Sequence, residues 1–235
     1  MDDAILKSFG GSYRSLVLGA SGGVGRAVVA VLTGDDCCTE LVAFSRSSDG
    51  FDLLDEASIA EHARHLSGKT FNVIFCATGA LTIESTGPEK SLRQISPEAM
   101  AKQFAVNAIG PALVLKHFSA LLPKSERSVF ALLSARVGSI GDNKLGGWIS
   151  YRSSKAALNQ IVRTAAIEIA RIRPLASVVA IHPGTVATSL SEPYAGTRAR
   201  MSPDAAARNI LKTMDSIGPD KTGGFFAYDG SRIEF

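Results

Sequence analysis

Short apolar runs alternate along this chain with longer segments whose apolar residues recur at helical spacing. The runs at 15–18, 41–44, 72–76, 129–133 and 177–181 are four or five residues long and mostly apolar. Such runs are expected for strands buried on both faces of a sheet. A sixth run lies at 224–228. Helical periodicity covers 24–33, 55–66, 97–122, 148–171 and 203–216. Strand and helix alternate from end to end, which predicts an α/β fold, a doubly wound parallel sheet with helices on both faces. Ser96-Pro97 and Ser202-Pro203 each set a capping serine before a proline at the first helical position. No repeat, low-complexity segment or linker divides the sequence, and 235 residues suit a single domain spanning 1–235.

Composition narrows the class without naming an activity. With 46% hydrophobic and 20% charged residues the chain reads as globular and soluble. Its net charge of +3 is spread along the sequence, so neither the basic stripe of a nucleic-acid binder nor the Lys/Arg cluster of a membrane-surface helix is present. The segment 1–7 lacks the basic flank and apolar core of a secretory signal, and no run of about 18 apolar residues suggests a membrane span. A cytoplasmic protein without nucleic-acid or membrane partners is expected. Cys37, Cys38 and Cys76 lack metal-ligand spacing and read as reduced thiols, the first two in the loop after the first helix. His62, His65, His117 and His182 have no carboxylate or cysteine partners at ligand spacing, so they read as surface or core side chains and no metal site is expected.

The candidate chemistry sits where strands end. Gly19-Ala-Ser21-Gly22-Gly23-Val24-Gly25 follows the first apolar run and opens the first helix. There, glycines let backbone N–H groups approach a pyrophosphate at the positive end of a helix. After the second run comes Ser45-Arg46-Ser47, where a site selecting NAD carries an acidic residue for the ribose 2′-hydroxyl. Arg46 instead suits a 2′-phosphate, so NADP(H) is favoured over NAD(H). Asp52 suits either the adenine amino group or the cap of the helix before Glu56. Tyr151 and Lys155 are four residues apart, which in a helix stacks phenol and ammonium on one face. A nearby cation is expected to pull the phenol pKa down from about 10 toward working pH, as acid/base chemistry requires. Asn107 lies on an otherwise apolar stripe with Met100 and Phe104, where a buried amide must find partners. No Gly-x-Ser-x-Gly elbow points to a hydrolase.

These motifs, in this order and separation, make the chain similar over essentially its whole length to the classical short-chain dehydrogenases/reductases, which have the Rossmann fold. Val106-Asn107-Ala108, Ser134 at a strand end, and His182-Pro183-Gly184-Thr185-Val186-Ala187-Thr188 extend the match. Residues 138–142 and 183–193 more narrowly resemble the C-factor and sniffer-like carbonyl reductase branch. The resemblance implies Tyr151 as the general acid/base, Lys155 as holder of the nicotinamide ribose, and Asn107 as support for Lys155 through a water. It places Gly79 against the adenine ribose, in Cys76-Ala-Thr-Gly79 where the family commonly has Asn-Asn-Ala-Gly. Pro183, Gly184, Val186 and Thr188 are implied near the nicotinamide carboxamide and diphosphate. Aligning on Gly138 sets Ala135 where the substrate-binding serine belongs, so Ser134 is the preferred substitute and Ser139 the alternative. A short substrate lid is expected at about 189–202, with Trp148, Ile149 and Tyr194 meeting the apolar part of a substrate. Helices 97–122 and 148–171 resemble the pair that forms a homodimer or homotetramer interface. The expected function is NADP(H)-dependent, reversible reduction of a small-molecule carbonyl to an alcohol. A cofactor-binding regulatory or signalling protein is the alternative, and an epimerase or dehydratase ranks last because little chain follows Thr188.

Overall fold

The computed structural model describes residues 4–194 and 199–235. Six parallel strands form one sheet: β1 (Tyr13–Leu18), β2 (Cys38–Phe44), β3 (Val73–Cys76), β4 (Ser128–Leu133), β5 (Ala176–His182) and β6 (Phe225–Ala227). They lie in the order β2-β1-β3-β4-β5-β6. The chain leaves β1 for β2 on one side and returns to β3 on the other, so the direction of winding reverses between β1 and β3. In an open parallel sheet this reversal opens a crevice beyond the strands' C-terminal ends.

Alternation along each strand divides the core into two layers, because successive side chains point to opposite faces. Leu16, Leu18, Ile74, Phe130 and Val178 pack toward α3 (Glu56–His65), α5 (Gly110–Phe118) and α6 (Ile149–Ala170), against Ile59, Phe118, Leu158 and Val162. Val17, Phe75, Val129, Val179 and Ile181 pack toward α1 (Gly23–Thr33) and α7 (Pro203–Ser216), against Val28, Leu32, Ile210 and Met214. Burial on both faces is what the unbroken apolar runs predicted. Strand β2 differs. It is an edge strand paired only to β1 and half-buried, so Cys38, Thr39 and Glu40 join it despite their mixed polarity. Cys38 therefore begins a strand and is not in the expected loop.

A short α2 (Arg46–Asp49), unannounced by any periodicity, follows β2, with the Ser45 hydroxyl accepting from Ser48 N at 3.1 Å. The capping serines before Pro97 and Pro203 behave as expected: Ser96 accepts from Ala99 N at 3.3 Å and Ser202 from Ala205 N at 3.2 Å.

The long helix expected at 97–122 is interrupted. It runs as α4 (Pro97–Phe104), a π-helical turn at Ala105–Ile109, α5, and a final 3-10 turn at Ser119–Leu121. Pro111 explains the break, since it has no N–H for the Asn107 carbonyl four residues earlier and its ring crowds that carbonyl. By length and composition the segment 97–121 matches a membrane span, yet its buried face packs against α3 and α6 within the fold.

The first turn is tight enough to demand glycine. Gly19 has φ 86°, and a methyl group on Gly25 would stand 2.2 Å from the Gly19 carbonyl oxygen. Gly25→Ala should therefore lower stability by about 1–3 kcal/mol, the usual cost of overpacking, read as a fall in the urea midpoint at unchanged m-value.

Candidate active site

One cleft of about 860 Å³ opens at the C-terminal edge of the sheet. Its floor at one end is the turn after β1, represented by Gly22, Gly23 and Val24, and facing these are Thr78 and Gly79 after β3. Its other end is built from the chain after β4, the start of α6 and the segment after β5. Ser134, Tyr151, Lys155, Pro183, Gly184, Val186 and Thr188 all line it.

Gly19 and Gly25 lie beneath this surface and shape the turn. Gly19 N and Ala20 N donate to Phe44 O at 2.8 and 3.0 Å, which ties the turn to the end of β2 two residues before Arg46. Arg46 is exposed there, as is Ser21 on the turn itself. Asp52 does not cap α3. Its Oδ1 accepts from Leu54 N at 2.9 Å, and Asp55 is the cap, accepting from Ala57 N at 2.9 Å. Thr188 reaches back to the turn so closely that a Cβ on Gly23 would meet its methyl at 2.4 Å.

Tyr151 and Lys155 lie one helical turn apart on α6, both buried. Lys155 Nζ donates to Leu133 O, at the end of β4, at 2.9 Å. Burial pushes the lysine pKa down to about 8. The tyrosine departs from expectation: burial holds its hydroxyl well above the ordinary phenol range. Desolvation is the one cause of that rise, and the lysine ammonium donates to a backbone carbonyl. Tyr151 is therefore a protonated acid at neutral pH.

Gly79, with φ 145°, lies against this lysine. A side chain there would begin 2.9 Å from Lys155 Nζ and 3.0 Å from Asn107 Oδ1. Asn107 sits on the π turn, fully buried. Its Oδ1 accepts from Ala80 N at 3.0 Å, and its Nδ2 donates to Ala80 O at 2.8 Å and to Gln103 Oε1 at 2.6 Å. Its amide thus clamps the backbone after β3, while Pro111 leaves its carbonyl without the usual helical donor.

The serine expectation needs revision. Ser134 lines the cleft, but its hydroxyl donates to Asn159 Oδ1 on α6 at 2.6 Å, so its proton is engaged inside the protein. Ser139 is buried and accepts from Asp142 N at 3.1 Å, away from the cleft lining. The methyl of Ala135 faces the cleft instead. Trp148 and Tyr194 line the cleft edge to face at 5.5 Å, whereas Ile149 does not line it. The Tyr194 hydroxyl meets Thr82 Oγ1 at 2.6 Å. The lid segment begins with a 3-10 turn at Glu192–Tyr194 and is tied at its base by Ala187 N to Met201 O and Met201 N to Thr185 O, each 2.8 Å. Its residues 195–198 lie outside the described residues.

Two residues at the site escaped the sequence reading. Glu89 is buried and holds the start of α6: its carbonyl accepts from Trp148 N at 2.5 Å, one carboxylate oxygen from Ser150 N at 3.2 Å, and the other from the Ser150 hydroxyl. Its carboxylate also faces the positive end of that helix. It comes from an irregular segment some sixty residues earlier, and no local pattern pairs it with α6. His182, read as a filler, lines the cleft; burial, with Arg136 nearby, pushes its pKa down to about 4 and leaves it neutral.

A family model described as enoyl-(acyl carrier protein) reductase matches residues 45–227. The chain belongs to the short-chain dehydrogenase/reductase family. Among its relatives, 1-hydroxy-2-glutathionyl-2-methyl-3-butene dehydrogenase of Rhodococcus sp. (strain AD45) is 29% identical over 188 residues, 79% of each chain. C-signal of Myxococcus xanthus is 38% identical over 138 residues, 57% of this chain and 77% of its own. Two solved short-chain reductase folds superpose closely. Carbonyl reductase Sniffer of D. melanogaster has TM-score 0.82 at 20% identity, covering 95% of this chain and 100% of that one. The NADPH-bound carbonyl reductase from chicken fatty liver has TM-score 0.81 at 23% identity, covering 95% and 94%. These likenesses establish the fold of this short-chain dehydrogenase/reductase.

Two stability predictions follow from the charges. Removing Glu89 leaves the Ser150 N–H and hydroxyl without their acceptor, so Glu89→Ala should cost about 1–3 kcal/mol, measured by urea denaturation. Lys155 has a folded pKa near 8 and an unfolded one near 10.4. The unfolded chain binds more protons between these values, so stability rises with pH across that window, and the burial penalty is fully present below it. Lys155→Met should therefore stabilise the protein by about 2 kcal/mol at pH 7, after allowing for the lost bond to Leu133. Denaturant titrations should show the gain shrinking toward pH 10.

Proposed function

We propose that this short-chain dehydrogenase/reductase reduces a carbonyl to an alcohol with NADPH, reversibly. The observation that carries the reading is the cleft that Tyr151 and the buried Lys155 share with the glycine turn after β1. The NADPH-bound chicken liver carbonyl reductase, close in fold, supports the cofactor.

The residues fit such a cofactor. Gly22 and Gly23 bring bare backbone to the start of α1, where a pyrophosphate would sit against free N–H groups. Arg46 stands exposed just past Phe44, suited to a ribose 2′-phosphate, and Asp52 lies farther along the same edge. Gly79, expected against the adenine ribose, lies against Lys155 and so would flank the nicotinamide half instead, with Lys155, Pro183, Gly184, Val186 and Thr188; that half supplies the hydride. Tyr151 donates its proton to the carbonyl oxygen as that oxygen gains charge. Lys155 stays positive at neutral pH and offsets charge developing on the phenolate. Asn107 fixes the backbone beside Lys155 through its bonds to Ala80.

A homo-oligomer through α4, α5 and α6 also belongs to this reading, supported by exposed Ile109 on the π turn between α4 and α5 and exposed Ile167 on α6. A monomer in sedimentation equilibrium would remove it. Ala135 in the cleft wall, together with the likeness to C-signal, favours a second reading: a cofactor-binding regulatory or signalling protein with little turnover.

A panel of aldehydes and ketones assayed with NADPH separates the two. Under the reductase reading Tyr151→Phe loses at least about 100-fold in kcat, whereas NADPH binding without turnover by any form leaves the regulatory one. Arg46→Ala should weaken NADPH by about tenfold, one charge-assisted hydrogen bond, and leave NADH unchanged. Equal affinities of the wild type for the two cofactors would overturn the cofactor preference.

A further inference from the structure

The end of the cleft away from the glycine turn combines an apolar wall with an excess of positive charge. Val137, Leu145, Trp148 and Tyr194 supply the wall. Arg136, Lys144 and Arg152 supply the cations, against two carboxylates, Asp142 and Asp229. Both carboxylates are already engaged. Asp142 Oδ2 accepts from Arg136 Nη1 at 3.3 Å, and Asp229 Oδ1 accepts from Ser231 N at 3.0 Å and Ser231 Oγ at 2.6 Å.

Arg152 has no ion-pair partner among the described residues. Its guanidinium is nonetheless half-buried and held in place: Nε donates to Gly147 O at 2.9 Å and Nη1 to Val137 O at 3.3 Å. Both carbonyls belong to the connection between β4 and α6, and Arg152 follows Tyr151 directly on α6. Nη2 donates to no protein acceptor among the described residues and is not among the buried unpaired atoms, so it meets the solvent of the cleft. A guanidinium drawn part-way out of water costs solvation free energy, and burial depresses the Arg152 pKa against the opposing field of Asp142. A fixed guanidinium with a free edge is suited to a carboxylate.

The missing serine makes a second anchor useful. With Ala135 in the wall and the Ser134 proton given to Asn159, Tyr151 is left to hold the carbonyl oxygen. One hydrogen bond fixes a point but not an orientation, and hydride transfer needs both. We propose that this end of the cleft selects carbonyl compounds that carry a carboxylate, gripped by the free edge of Arg152 and approached by Lys144, with the carbonyl at Tyr151. The proposal rests on the reductase reading for the reaction but not for the binding preference.

The test compares 4-oxopentanoate and 5-oxohexanoate with their methyl esters. Two readouts apply: NADPH oxidation, and the fluorescence of Trp148, which lines the cleft and is the one tryptophan in the chain. For the better oxo acid, the wild type should show kcat/KM about tenfold or more above that of its ester, carried mainly by KM. Arg152→Met should bring the acid-to-ester ratio near one, Arg152→Lys should recover part of it, and Lys144→Met, at an exposed position, should lower it about threefold. Equal wild-type ratios, or a ratio unchanged in Arg152→Met, would overturn the proposal. If Arg152→Met fails to fold, the Lys144→Met ratio and the wild-type comparison still decide. If nothing is reduced, Trp148 titrations decide: tighter binding of the acids keeps the carboxylate preference while the reductase reading falls, and equal binding ends both.

Discussion

A lysine ammonium held inside the protein constrains every element at the active edge of the sheet. Lys155 is almost wholly withdrawn from water, and the protein supplies an acceptor, Leu133 O at the end of β4. It also leaves room on two sides. A Cβ at Gly79 would begin 2.9 Å from Nζ, and one at Gly138 would begin 2.8 Å from the Lys155 Cβ. Strand β3, strand β4 and helix α6 therefore meet at one side chain, and the two glycines are as necessary to it as the carbonyl. A charge kept at such cost invites a functional explanation. Under the proposed reduction the explanation is the neighbouring phenol, which would lose a proton and bear charge in the same confined space.

The rigidity of that arrangement comes from two anchors distant in sequence. Pro111 forces the π turn and so presents Asn107 to Ala80, fixing the chain after β3. Glu89 accepts from the first N–H groups of α6 and fixes the start of the helix that carries Tyr151 and Lys155. Trp148, which precedes α6 in a left-handed conformation at φ 54°, is held there by its N–H bond to Glu89. One carboxylate thus holds the start of the helix that carries Tyr151, and one amide holds the backbone next to Gly79, beside Lys155.

What was legible in the sequence was what depends on local periodicity. Unbroken apolar runs gave the parallel strands, proline after serine gave the starts of α4 and α7, and the glycine spacing gave the turn after β1. The edge strand β2 began earlier than its apolar run because pairing to β1, rather than burial, sustains Cys38 to Glu40. The π turn was visible only as a proline four residues after an asparagine. Contacts between distant segments were not legible: Glu89 with Ser150, Ser134 with Asn159, and Arg152 with Val137 follow from tertiary packing. The direction of the Tyr151 shift was misjudged for a related reason. Spacing reports the proximity of a cation, but burial of both groups decides the balance.

The cleft divides its work by charge and shape. At one end, bare glycine backbone and a helix start suit a phosphate-bearing ligand whose contacts are alike across many substrates. At the other lie aromatic rings with Arg136, Lys144 and Arg152. The methyl of Ala135 lies between them. Under the proposed reduction, a methyl in place of a hydroxyl there removes a donor to the reacting oxygen. The loss is therefore one of orientation. Orientation can be regained anywhere along a substrate long enough to reach a second fixed group, and Arg152, one residue from the acid and braced by two loop carbonyls, is such a group.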